Sequence, residues 1–86
     1  MTTELVLYIG NTCGFCLRVT DFLHKHPMNI QIKDVWSDQG ANQELMALTG
    51  KSQVPCLRIG NSYMHESLDI VEKLKEIHST IDFKKP

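Results

Sequence analysis

Cys13 and Cys16 stand two residues apart in "NTCGFCLRV", residues 11–19. The stretch follows an apolar run and precedes a helical pattern, so Cys13 falls where a strand gives way to a helix. There the first-turn amide N–H groups lack intrahelical partners, and the helix dipole contributes partial positive charge. Both favour a thiolate, and the Cys13 pKa is expected to lie below that of a free thiol. Cys16 lies one turn on, on the same face and within disulfide reach; it is expected to be more buried and less acidic. This asymmetry suits thiol–disulfide exchange, in which Cys13 attacks and Cys16 resolves the mixed disulfide. Two other readings stay open. A C-x-x-C pair is also half of a zinc site, which would need a second C-x-x-C or an H-x₃₋₅-H pair; beyond the pair the chain offers Cys56 and four scattered histidines. Both thiols could instead be inert core residues, against which stand the strand–turn–helix placement and Gly14 between them.

The rest of the chain limits what can surround this pair. Its 86 residues are enough for one small domain. Hydrophobic residues make up 42% and charged residues 22%, with a net charge of −1, so neither the basic footprint of a nucleic-acid binder nor a polybasic membrane patch is present. The opening "MTTELVLYIG" has no basic leader, and its apolar run is too short for a signal peptide or a membrane span. A cytoplasmic setting is the expectation. An odd count of three cysteines there argues against a disulfide scaffold and for chemistry or metal binding.

The elements that must position the thiols follow from periodicity. Residues 4–9 are apolar nearly throughout, as in a strand buried on both faces. Residues 15–26 place Cys16, Val19, Phe22 and Leu23 at helical spacing, with Thr12 as the expected cap and Pro27 as the stop. Residues 30–35 alternate as a second, more exposed strand. The polar "SDQGANQ" leads into a short helix carrying Leu45, Met46 and Leu48, closed by Gly50. Residues 55–59 read as a third strand, and Gly60–Asn61 as the turn into a short fourth one at "SYMH". Residues 66–77 close the domain as an amphipathic helix through Ile70, Val71, Leu74 and Ile77, and residues 80–86 read as a loose tail. The order β-α-β-α-β-β-α predicts an α/β domain, a four-stranded mixed sheet with helices on both faces.

"YIGNTCGFC" after the first strand, with "QVPCL" opening the third, resembles a glutaredoxin of the thioredoxin-fold superfamily over residues 5–77. The motifs are Cys13, Phe15 and Cys16, the Val54–Pro55 dipeptide, and a helix start at Glu66–Ser67. The resemblance implies a cis proline at Pro55 packed beside the cysteines. It implies that the Val54 backbone hydrogen-bonds the cysteinyl part of glutathione. Ser67 would hold the γ-glutamyl carboxylate, which any helix N-terminus favours; a plain N-cap is its other reading. Gln53 and Ser67 also match the residues that grip the γ-glutamyl group in glutathione S-transferase N-terminal domains. The implied glutathione site is therefore Phe15, Gln53, Val54, Pro55, Glu66 and Ser67.

Three departures mark the chain. Gly10 stands where glutaredoxins commonly carry a lysine for a glutathione carboxylate, leaving Lys51 or Gln43 as substitutes or as solvated surface residues. Gly14 replaces a usual proline. Cys56 follows Pro55 directly, either as a small buried hydrophobe or as a third thiol. Among the remaining residues, Tyr8 reads as core or as a wall of the thiol pocket. Trp36 reads as a cap on the second strand or a wall of the substrate groove. Arg18 reads as a solvent-facing helix residue or as a source of positive potential near Cys13, and His24 and His26 as residues that favour the dipole at the helix end and are poor metal partners for each other.

The implied activity is glutathione-dependent reduction of protein–glutathione mixed disulfides or protein disulfides through Cys13 and Cys16. Glutathione would be the co-substrate with no resident metal, the partners would be disulfide-containing or glutathionylated proteins, and the chain would act as a monomer. Two alternatives remain. C-G-F-C is similar to the C-G-F-S signature of monothiol glutaredoxins, which implies a [2Fe–2S] cluster held by Cys13 and glutathione between two subunits. The other is an electron donor reduced by thioredoxin reductase.

Overall fold

The computed structural model describes residues 4–84. The apolar run at the start of the chain forms β1 (Leu5–Ile9), which lies inside the sheet. It pairs in parallel with β2 (Gln31–Asp34) and antiparallel with β3 (Cys56–Ile59), and β3 carries β4 (Ser62–Met64) at the outer edge. The strand order is β2-β1-β3-β4, a mixed four-stranded sheet. Because β1 has a neighbour on each edge and packing on each face, every position of "LVLYI" is apolar or aromatic.

The two-residue period of the strands divides the core. Leu7, opposite Leu57, faces α1 (Gly14–Lys25) and α3 (Ser67–Lys84), where Val19, Leu23, Ile70 and Leu74 cover them. Val6 and Tyr8, the latter opposite Cys56, face the other way onto α2 (Gln39–Thr49), with Ala41, Leu45 and Val35 completing that layer. The α/β class and element order agree with the sequence expectation, and the fold is thioredoxin-like.

Helix ends show where local signals held and where they did not. Asp38 caps α2 by accepting from the Ala41 N–H at 3.2 Å, and Gly50 closes that helix at a φ of 83°. A left-handed C-cap of this kind favours glycine. α1 stops at His26, directly before Pro27. Its N-cap is Cys13, not the expected Thr12, because Cys13 donates its N–H back to the Gly10 carbonyl at 3.1 Å and closes a turn over residues 10–13. Cys13 makes no side-chain cap hydrogen bond, so the mouth of α1 keeps its N–H groups for other acceptors. α3 runs to Lys84, past the expected end at Ile77 and through most of the expected tail. No glycine or proline interrupts it before Pro86; residues 85–86 lie outside the described ones. No helix of the described residues is long and apolar enough to cross a membrane.

One polar network crosses the α2 layer. The buried Tyr8 hydroxyl donates to Glu44, whose two carboxylate oxygens also accept from Lys33 Nζ at 2.9 and 3.0 Å. Tyr8 and Lys33 together hold the Glu44 carboxyl below the usual carboxylate range. Glu44→Ala is expected to cost about 2 kcal/mol, because it strips the buried hydroxyl hydrogen of its acceptor. Tyr8→Phe combined with Glu44→Ala should cost clearly less than the two single losses added together, as measured by urea unfolding.

Candidate active site

β1 delivers the chain to Gly10, and the turn over residues 10–13 sets Cys13 at the mouth of α1. Cys13 is half-buried, whereas Cys16, on the inward face of the helix, is only 2% exposed. Both are free thiols. The Gly10 N–H donates to Cys16 Sγ at 3.4 Å. Burial pushes the Cys16 thiol up to about 12; the Gly10 amide opposes that rise, and the Cys13 sulfur and the Asp34 carboxylate add to it. Cys16 is therefore a protonated, inward-facing thiol at neutral pH, and Cys13 is the sulfur a substrate can meet.

A cleft of about 180 Å³ opens at the start of α1 and is lined by neither Cys13 nor Cys16. Phe15 lines it from α1, Gln53, Val54 and Pro55 from the loop before β3, and Glu66 and Ser67 from the start of α3. The structure thus gathers the six residues of the implied glutathione site from three separate elements. The Val54–Pro55 peptide is cis. The Glu66 carbonyl accepts the first intrahelical bond of α3, from the Ile70 N–H at 2.8 Å, so Glu66 is the N-cap and Ser67 the first helical residue. The N-cap reading of Ser67 is corrected accordingly. First-turn N–H groups at this end have no intrahelical acceptor and suit a carboxylate.

His65 also lines the cleft, and the sequence reading did not place it there. Both of its ring nitrogens are buried without a hydrogen-bond partner among the described residues, and Tyr63 meets the ring edge-on at 5.6 Å. The one signal for it was adjacency to the Glu66–Ser67 pair.

Other candidates fall elsewhere. Lys51 and Gln43 are exposed and do not line the cleft. Tyr8 points to the α2 layer, away from the thiol pocket, and Cys56 is buried in the same layer, where burial pushes its thiol up to about 11. Arg18, His24 and His26 are exposed, and His26 stacks against Phe22. Trp36 covers Gly10: a Cβ there would lie 2.3 Å from the indole ring, so a lysine at position 10 does not fit while the ring stays in place. Among the described residues no group of three or more His, Cys, Asp or Glu is placed to hold a metal ion.

The geometry has clear relatives. The chain is similar to human glutathione S-transferase T1-1 in its apo form, at 22% identity and a TM-score of 0.73, over 88% of this chain and 33% of that one. It is similar to a glutaredoxin of Archaeoglobus fulgidus at 22% identity and a TM-score of 0.68, over 86% of this chain and 84% of that one. It is also similar to a buckwheat glutaredoxin solved in complex with glutathione, at 22% identity and a TM-score of 0.64, over 88% of this chain and 72% of that one. At such identities the likeness is one of fold, and the chain spans about a third of the transferase. No curated protein matches it in sequence. The family model described as Glutaredoxin matches residues 5–64. That segment holds both cysteines of the helix mouth and the cis Val54–Pro55 peptide, and by this match the chain belongs to the glutaredoxin family.

Proposed function

We propose that the protein is a glutathione-dependent thiol–disulfide oxidoreductase acting through Cys13 and Cys16. The observation that carries this reading is the free dithiol at the mouth of α1, where a cleft opens that is walled by Phe15, the Gln53–Pro55 loop and the N-terminus of α3. The Cys13 thiolate attacks the glutathione sulfur of a protein–glutathione mixed disulfide, and the protein thiolate leaves. A second glutathione then attacks the glutathione sulfur on Cys13 and departs as oxidised glutathione, or Cys16 displaces the bound glutathione. In the cleft the Val54 backbone pairs with the cysteinyl part, and the first turn of α3 takes the γ-glutamyl carboxylate. A related fold solved with glutathione supports the choice of ligand.

Titration of the reduced, isotope-labelled protein with glutathione tests the site. Amide shifts are expected at Gln53, Val54 and Ser67, and Ser67→Ala should weaken binding about tenfold, the worth of one hydrogen bond to a charged group. Shifts confined to other surfaces, or none with glutathione at tens of millimolar, would refute the pose. Supplying electrons through glutathione reductase or through thioredoxin reductase in parallel assays identifies the donor; only the first should sustain turnover.

A further inference from the structure

We infer that Trp36 is a positioning residue for the resolving step: its indole holds Gly10, and the Gly10 amide holds the sulfur of Cys16. This rests on the dithiol reading above and adds to it a residue outside the glutathione cleft.

Gly10 touches both cysteines. Its carbonyl accepts the Cys13 N–H at 3.1 Å, and its N–H donates to Cys16 Sγ at 3.4 Å. What fixes Gly10 from outside is Trp36, whose Cε2, Cδ2 and Cζ2 atoms lie 2.3, 2.5 and 2.6 Å from where a Cβ on Gly10 would be. The indole is thus pressed against the glycine Cα with no room for a side chain between them. The Trp36 main chain is itself tethered, its backbone N–H donating to Asp34 Oδ1 at 2.9 Å, while the neighbouring Val35 backbone N–H donates to the Ile9 carbonyl at 2.8 Å. Trp36 as a whole nevertheless stays 53% exposed, so core burial is not what keeps it there.

The chemistry that needs this arrangement is internal displacement. Cys16 gives up its proton to solvent, its thiolate attacks Cys13 Sγ in the Cys13–glutathione mixed disulfide, and the bond to the glutathione sulfur breaks. The glutathione thiolate leaves with the electron pair and takes a proton, and the new bond is the Cys13–Cys16 disulfide; no outside oxidant is needed. Negative charge must appear on the buried sulfur of Cys16, and the Gly10 N–H is the donor already aimed at it. When the disulfide is later opened at Cys13, Cys16 leaves as a thiolate and the same N–H receives it.

The test follows glutathione release from the preformed Cys13–glutathione adduct, with the Cys13–Cys16 reduction potential read in parallel. Trp36→Ala is expected to slow release about tenfold, the share of one hydrogen bond to a developing charge, and to make the disulfide harder to reduce. Trp36→Phe should recover most of the rate. In a Cys16→Ser background, where a second glutathione does the displacing, Trp36→Ala should leave turnover within about twofold. Gly10→Ala is the independent variant: its Cβ expels the ring, which emission from the single tryptophan reports, and the same slowing should follow. Unchanged release in both Trp36→Ala and Gly10→Ala, or equal slowing with and without Cys16, overturns the positioning role. If neither the wild type nor Cys16→Ser forms the Cys13–glutathione adduct, it is the dithiol reading that fails.

Discussion

Cys13→Ser is expected to lower reduction of a glutathione mixed disulfide by at least about 10³-fold, as befits loss of a nucleophile. Cys16→Ser should keep much of the wild-type rate. The asymmetry comes from where α1 puts the two sulfurs. Cys13, as N-cap, stands at the half-buried helix mouth where the cleft opens, while Cys16 points inward at 2% exposure with its thiol pushed up to about 12. At neutral pH burial keeps the Cys16 thiol protonated, which makes it a poor substitute for the attacking sulfur. A serine at position 13 supplies a hydroxyl, which at neutral pH is a far weaker nucleophile than a thiolate. When Cys16 is lost, a second glutathione can still attack the sulfur on Cys13, and the cycle closes without the buried thiol. The measurement is turnover on a glutathionylated peptide with glutathione and glutathione reductase. Retention of a tenth or more of the rate by Cys13→Ser would transfer the nucleophile's role elsewhere. A Cys16→Ser protein as inactive as Cys13→Ser would mean that every turnover passes through the internal disulfide.

Most of the scaffold behind this asymmetry was legible in the sequence because its signals are local. An uninterrupted apolar run gives β1, Pro27 ends α1, and Gly50 closes α2 in the left-handed conformation that favours glycine. Two boundaries were misjudged for equally local reasons. Thr12 looked like a cap, but the Cys13–Gly10 hydrogen bond keeps the chain out of the helix for one residue more. The end of α3 was set at the last strong apolar position, although nothing before Pro86 breaks a helix. The cleft is a different matter. Phe15, Gln53–Pro55 and Glu66–Ser67 converge from three elements, and no spacing along the chain encodes that; family resemblance alone named them. Contacts made only by folding were invisible. The indole of Trp36 reaches Gly10 because β1 and β2 pair in parallel register, Ile9 beside Asp34, and no periodicity links residues 10 and 36. His65 lacked any signal beyond its place next to Glu66.

The α2 layer, remote from the cleft, adds to the raised Cys16 thiol in weakening the protein in alkali. Burial raises Tyr8 from 10.0 to about 12, with Glu44 adding to the rise, and burial raises Cys56 from 9.0 to about 11. Each group is neutral when protonated, so folding favours the protonated form. Above the unfolded pKa the unfolded chain has released the proton while the folded one keeps it. The native state then binds more protons, and stability falls as pH rises. The contribution is whole below about pH 9 and gone once pH passes the folded values; by pH 11 the two groups together should cost about 4 kcal/mol. For a domain of this size that is a large part of its total stability. Cys56→Ala isolates the effect. It leaves a small cavity worth about 1 kcal/mol at pH 8, yet has no thiol to ionise, so it should lose about 2 kcal/mol less than the wild type between pH 8 and pH 11. Urea unfolding at the two pH values would then show the variant weaker at pH 8 and level with or ahead of the wild type at pH 11. Lysines and other shared groups titrate in both proteins and cancel in this comparison, so parallel losses would show that the Cys56 thiol ionises as readily folded as unfolded.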